Sequence, residues 1–230
     1  MTIVISTTTI PSRVDCLERS VQSLVNQGLP VYVWLPRYVE RINQGFEAVP
    51  GFLKRMDVNV SIVENLGPAT KLLYAIQMFD TVITGDDDRV YGEGWARDLV
   101  KWAEKHPDTA LGYRGRIFAG KLSYGPSKVV QDPTEPVEVD IITSVRGTLY
   151  HRRHLDDSVL DECEEWPHND DIVFGGHLWQ RGVSKLVIPR NCRIDPTRAH
   201  HIDPLFARKS VNELYSDGLK RFYEGWSPDV

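Results

Sequence analysis

The sequence predicts one α/β domain built on a mainly parallel central sheet flanked by helices. Three observations predict it. Short β-branched apolar runs alternate with segments of helical periodicity, 230 residues at 41% hydrophobic content suffice for one substantial core, and no repeat, low-complexity tract or linker divides the chain.

The elements follow in order. Ile3 to Ser6 is apolar and β-branched, which suits a buried strand. Ser12 with Asp15 three residues on has the pattern of a capping box, and Val14, Leu17, Val21 and Leu24 then recur at helical spacing until Gly28. Val31 to Leu35 and Val58 to Val63 are the next strands. Pro68 opens a helix that carries Ala69, Leu72, Leu73 and Ile76 on one face. Thr81 to Thr84 is a strand that runs directly into an acidic stretch, and Trp95, Leu99 and Trp102 mark the helix beyond it. The second half is less regular. Ala110 to Tyr113 and Arg116 to Phe118 read as short strands, followed by a polar loop from Gly120 to Pro136 with three prolines. Val137 to Thr143 and Thr148 to Tyr150 read as strands, Asp171 to Gln180 as a helix and Lys185 to Ile188 as a last strand. Ser210 with Glu213 forms a second capping-box pattern, opening a terminal helix with Val211, Leu214 and Phe222 inward.

Composition narrows the function. With 27 basic against 32 acidic residues, a net charge of -5 and no sustained basic run, nucleic acid is excluded as an expected partner. Cys16, Cys163 and Cys192 are an odd number without a Cys-x-x-Cys pair, which points to a reducing, cytoplasmic setting. The opening MTIVISTTTIPSR has no basic leader, and no window holds the ~20 apolar residues of a membrane span. Nothing in the sequence sets an oligomeric state.

The string TVITGDDDRVYGEGW carries the most chemistry. Asp86, Asp87 and Asp88 follow an apolar strand, at the sheet edge where open α/β folds bind ligands. Three adjacent carboxylates suit a hard cation, Mg2+ or Mn2+, whose remaining positions a diphosphate would fill. The alternative is a solvated acidic turn that caps the next helix. Gly67 and Pro68 start a helix whose free N–H groups favour an anion, with Lys71 adding a point charge, or they are an ordinary helix start. Thr7, Thr8 and Arg13 leave the first strand at the same edge, as nucleotide contacts or as a plain loop. Asp170 and Asp171 stand at a helix start, as N-terminal caps or as a general base. Gly147 either admits backbone close to a sugar or makes a tight turn. Trp166 either stacks on a sugar or packs as core. Arg190, Arg193 and Arg198 are candidates to neutralise a diphosphate.

An apolar strand ending in Asp-x-Asp, preceded by TTIPSR and ENLGPATKL and followed by GTLYHRR and WPHNDDIVFGGHLWQRG, resembles the GT-A glycosyltransferases from about Ile3 to Ile188. It is most similar to inverting enzymes of the family-2-like group, among them small bacterial polysaccharide transferases and chlorella-virus transferase domains. The resemblance implies a GT-A, Rossmann-like single domain. Residues 1–115 would bind the nucleotide and 116–230 face the acceptor. It implies a nucleoside-diphosphate sugar donor, UDP-linked by default, a glycan or polysaccharide acceptor, and a Mn2+ or Mg2+ cofactor. Asp88 would ligate the metal, with Asp86 and His201 of the His200-His201 pair as further ligands. Asp86 or Asp87 would hold the ribose or a metal-bound water, Lys71 the base or a phosphate, and Thr7, Thr8 and Arg13 the nucleotide base. Gly147 would line the donor sugar, and Asp171, or else Asp170, would be the catalytic base. Arg146 stands before a single glycine where many relatives have two small residues. Nucleotidyl transfer lacks its Gly-rich loop here. A non-catalytic carbohydrate-binding domain and a glycoside hydrolase using the carboxylates as acid and base are the other rivals.

Overall fold

In the computed structural model, which describes residues 2–227 apart from 168 and 205–210, the first half alternates strand and helix around one parallel sheet. Strands β1 (Ile3–Thr8), β2 (Val31–Pro36), β3 (Asn59–Val63) and β4 (Thr81–Thr84) carry between them helices α1 (Val14–Val25) and α2 (Thr70–Ile76). β1 lies between β2 and β4, parallel to both, with Ile5 opposite Val31 and Ile3 opposite Thr81. Next come β5 (Arg89–Tyr91), α3 (Trp95–Lys105), β6 (Thr109–Gly112), β7 (Arg114–Ile117), β8 (Lys128–Gln131), β9 (Val137–Glu138), β10 (Ile141–Ile142) and β11 (Thr148–His151). Helices α4 (Ser158–Glu165) and α5 (Asp170–Gln180), strands β12 (Ser184–Val187) and β13 (Ile194–Pro196), and helix α6 (Val211–Phe222) complete the order.

The main sheet runs β3-β2-β1-β4-β11-β6-β12-β9. β11 is antiparallel to both β4 and β6, and β9 to β12, while the remaining pairs are parallel. Successive side chains of one strand point to opposite faces, so the sheet feeds two cores. Val4 and Val82 pack with Leu72, Leu73 and Ile76 of α2 and with Ile172 and Phe174 of α5. Ile5 and Ile83 pack with Leu17, Val21 and Leu24 of α1 and with Trp95 and Leu99 of α3. Each fully buried leucine or isoleucine contributes ~1.5–3 kcal/mol relative to exposure. That burial, rather than helix propensity, holds a helix as short as α2 in place. No helix among the described residues is long and apolar enough to cross a membrane.

Several sequence expectations need correction. The Ser12–Asp15 capping box does not form: Pro11–Arg13 make a 3-10 turn, α1 starts at Val14 with no side-chain cap, and the Ser12 hydroxyl is buried without a hydrogen bond. Pro11 presets the turn and leaves Arg13 as the residue before the helix. The polar Gly120 to Pro136 loop contains β8, which pairs with β7 although only Val130 of its four residues is buried. The strand expected over Val137 to Thr143 is two, because the chain changes sheets: β9 joins β12, and β10 joins β7. Asp140 at the crossing accepts a hydrogen bond from the Phe118 N–H at 2.7 Å. α4, β5 and β13 are additional elements. The Ser210–Glu213 box, with Val211 and Leu214 beside it, lies outside what is described of the side chains, whereas Phe222 is buried.

Candidate active site

Beyond the carboxyl end of β4 the chain turns at Asp87–Asp88, and its three carboxylates diverge to three different partners. Asp86 accepts a hydrogen bond from Lys71 Nζ at 3.0 Å, while its backbone N–H is bound to the Tyr91 hydroxyl at 2.7 Å. Asp87 accepts from Thr9 Oγ1 at 2.7 Å and pairs with Arg13 Nη1 at 2.8 Å. Asp88 lies 3.0 Å through Oδ2 from His200 Nδ1 and 3.3 Å through Oδ1 from Arg89 Nε, and its buried Oδ1 accepts no hydrogen bond. Burial pushes the Asp86 carboxyl up to about 6 against the pull of Lys71. It also raises Asp87, against Arg13 and Thr9. The run is thus not a solvated turn: Asp87 and Asp88 are 5% and 8% exposed, and buried charges persist only when paired.

Across the cleft stands the start of α5. Asn169 is its N-cap, accepting from the Ile172 N–H at 3.1 Å, which leaves the two following carboxylates to other partners. Asp171 Oδ1 receives both the backbone N–H (2.9 Å) and the hydroxyl (2.8 Å) of Ser144, and its Oδ2 faces the Tyr124 hydroxyl at 3.2 Å. Asp170 Oδ2 lies 3.1 Å from Lys71 Nζ and 3.2 Å from Ser144 Oγ. Burial, then Asp170, pushes the Asp171 carboxyl up to about 6, opposed by Ser144 and Lys71. Burial disfavours the Lys71 charge, but Asp170, Asp86 and Asp171 outweigh it and hold the ammonium well above its ordinary range.

The cleft between these groups is about 810 Å³ and is lined by Thr8, Arg13, Lys71, Asp86, Asp87, Asp88, Asp170 and Asp171 of the residues expected from sequence. Others stand apart from it. Thr7 is fully buried, because alternation along β1 turns it away from Thr8. Gly147 has φ 104°, and a β-carbon there would sit 2.4 Å from the Trp95 ring, so its missing side chain serves packing. His201 is exposed, and it is His200 that reaches Asp88. Lys71, which does line the cleft, lies within 3.0 Å of Asp86 and 3.1 Å of Asp170. Arg190 pairs with Asp132 and Arg193 with Asp195, and neither these nor Arg198 line the cleft. Trp166 packs against Phe222 of α6. In their place Thr9, Tyr124, Ser144, Arg89, Arg114, Arg116 and Arg146 line the walls. Thr9 and Arg89 adjoin the stretches already singled out, whereas nothing in the spacing of the others marks them, since they converge only through β7, the segment after it and the turn at Ser144–Arg146.

No family model and no curated relative matches the sequence. Solved structures do. The 1–349 portion of S. aureus TarS superposes with a TM-score of 0.56 at 16% identity, over 87% of this chain and 61% of that one. A longer S. aureus TarS gives 0.55 at 15%, over 87% and 37%. GalNAc-T7, solved with UDP, GalNAc and Mn2+, gives 0.61 at 14%, over 86% and 44%. The fold is GT-A. This chain spans less than two thirds of the length of each.

Within the GT-A sheet the acidic run lies at the carboxyl edge beyond β4, the position at which an open α/β sheet receives a ligand. Among the described residues no three His, Cys, Asp or Glu side chains converge as a ready-made metal cage. A hard cation that takes one or two protein ligands, with water and phosphate for the rest, nevertheless fits Asp88 and His200, because Asp88 Oδ1 is buried and accepts no hydrogen bond.

Proposed function

We propose that this chain is a glycosyltransferase that moves a sugar from a nucleoside-diphosphate donor, UDP-linked by default, to a glycan hydroxyl with inversion. The observation that carries this reading is the facing of two buried acidic groups, Asp86 to Asp88 and Asp170 to Asp171, across one cleft and joined by Lys71. The two groups divide the work. The fold shared with GalNAc-T7, which was solved with UDP, GalNAc and Mn2+, supports a nucleotide-sugar donor, and the carboxyl edge beyond β4 is where an open α/β sheet would receive it.

Asp88 and His200 would hold Mn2+ or Mg2+, which when bound supplies positive charge to the leaving diphosphate. Thr8 and Arg13 line the nucleotide end of the cleft, and Arg13, fixed by Asp87 and by the Ile202 carbonyl at 2.9 Å, is rigidly aimed. Asp171 is the base. Its carboxylate takes the acceptor hydroxyl proton as that oxygen bonds to the anomeric carbon, and the bond from that carbon to phosphate breaks with its electron pair leaving on the diphosphate. Ser144 holds Oδ1, so Oδ2, beside Tyr124, is the oxygen that receives the proton. Lys71 offsets Asp170, which would otherwise leave two like charges side by side.

The test is transfer from a panel of nucleotide-sugars with Mn2+, with product configuration read by NMR. Inverted product that disappears in Asp171→Asn supports the reading. Retained configuration, or full activity in that variant, overturns it.

A further inference from the structure

The cleft holds more positive charge than its own carboxylates use. Asp87 is matched by Arg13, Asp86 and Asp170 share Lys71, Asp88 faces Arg89 and His200, and Asp171, bound by Ser144 and Tyr124, pulls on Arg114 only from beyond ion-pair distance. Arg114 is different. Its guanidinium lines the cleft, and among the described residues no side chain hydrogen-bonds it and no carboxylate lies within ion-pair distance. Arg116, two residues on and so on the same face of β7, gives Nη1 to the Tyr124 carbonyl (2.9 Å) and Ser127 hydroxyl (3.1 Å), lies 4.3 Å over the Tyr124 ring, and keeps a buried Nε with no partner. Among the described residues the Arg146 side chain makes a 3.6 Å contact with Asp132, a carboxylate already bound by Arg190 at 2.7 Å. Burial, then Arg116, lowers the Arg114 guanidinium below its ordinary range, and burial likewise lowers Arg146. A desolvated, self-repelling cation group is costly until an anion enters it.

We propose that Arg114, with Arg116 and Arg146, binds an anionic group of the acceptor, a carboxylate or a phosphate of an acidic glycan. The inference rests on the glycosyl-transfer reading and names its acceptor class. Arg114 and Arg146 stand near enough to Arg89 to feel its charge, and Arg116 extends the group toward the base. The Arg116 guanidinium covers the Tyr124 ring, and the Tyr124 hydroxyl reaches Asp171, so the β7 arginines flank the base that must meet the acceptor hydroxyl. A planar guanidinium grips carboxylate and phosphate oxygens alike through paired N–H donors, so the residues name the charge and not its source.

The experiment is calorimetric titration of the chain with four probes: a uronic-acid disaccharide, a disaccharide phosphodiester, the neutral disaccharide of the same size, and UDP with Mn2+. The proposal expects one or both acidic probes to bind at least tenfold tighter than the neutral one, with an affinity that falls as salt rises. Which of the two binds tighter identifies the anion. Arg114→Gln should weaken the acidic probe tenfold or more and far more than it weakens UDP, and Arg114→Lys should recover part of the loss. Equal binding of neutral and acidic probes by the unmodified chain overturns the proposal without reference to any variant. Loss in Arg114→Gln that falls on UDP instead overturns it in favour of a leaving-diphosphate role. Acidic-probe binding without any nucleotide binding or transfer would leave the anion site standing and sink the glycosyl-transfer reading.

Discussion

Lys71 Nζ sits 3.1 Å from Asp170 and, on its other side, 3.0 Å from Asp86, with 7% of its side chain exposed. One buried ammonium thus ties the carboxyl edge of β4 to the start of α5. Lys71→Met keeps most of the stem and removes the charge, leaving two buried carboxylates without a cation. Breaking a buried pair this way costs about 3–5 kcal/mol, to be read as a shift in denaturation midpoint at pH 7. Transfer should be lost as well. A variant as stable as the parent would show that the ammonium is not what reconciles the two acidic groups.

The Asp171 carboxyl, at about 6, gives a pH dependence with a definite sign. It is faced by Asp170, Lys71, Tyr124, Tyr150, Tyr215, Tyr223 and Arg114. As a base it works ionised, so kcat/KM should climb through pH 6 and be about tenfold below its plateau at pH 5. Stability runs the other way. A carboxyl raised from the ordinary 3.8 stabilises the fold fully below that value and loses the contribution as pH rises through 6. Asp171→Asn should abolish transfer and flatten that stability trend. A profile without an acid limb near 6 would remove Asp171 as the base.

Metal dependence separates the two adjacent histidines. Nucleotide binding should weaken at least tenfold with chelator, and Asp88→Ala should bind no better with Mn2+ than without it. His200→Ala should lose part of the metal effect, and His201→Ala, whose side chain is exposed, none. The reverse order of the two histidine variants would return the ligand role to His201.

Gly147→Ala tests packing against sugar contact. With φ at 104° and the Trp95 ring in the way, the added methyl should destabilise by roughly 1–3 kcal/mol. In a chain of this size that is a fall in Tm of about 2–4 °C per kcal/mol. An unchanged Tm with a raised donor KM would point to a direct role at the sugar instead.

The first half of the fold was legible because its strands and helices are apolar, periodic and punctuated. The apolar run Thr81 to Thr84 coincides with its strand, and Pro68 falls in the 3-10 turn Gly67–Ala69 that leads into the helix. The second half was not, since β8, β9 and β10 are short, partly exposed and paired in sheets that no single-strand pattern reveals. The site divides along the same line. Carboxylate runs at strand and helix ends are visible as sequence, so Asp86 to Asp88, Asp170 and Asp171 could be named. Ser144, Tyr124 and Arg114 reach the cleft only through a 3-10 turn and a folded-back ribbon. The choice between His200 and His201 depends on the local turn at Arg198–His201.

In the main sheet, β11 sits between β4 and β6 and is the link that joins the two parts. During synthesis, β4 must therefore wait for Thr148 to emerge before its outer edge is covered. At about 5–20 residues per second that wait is on the order of 3–13 s. Through it Val82 and Ile83 border an unpaired edge, open to pairing with a neighbouring nascent chain. The same strand that closes the sheet is thus the last guard of its most apolar edge.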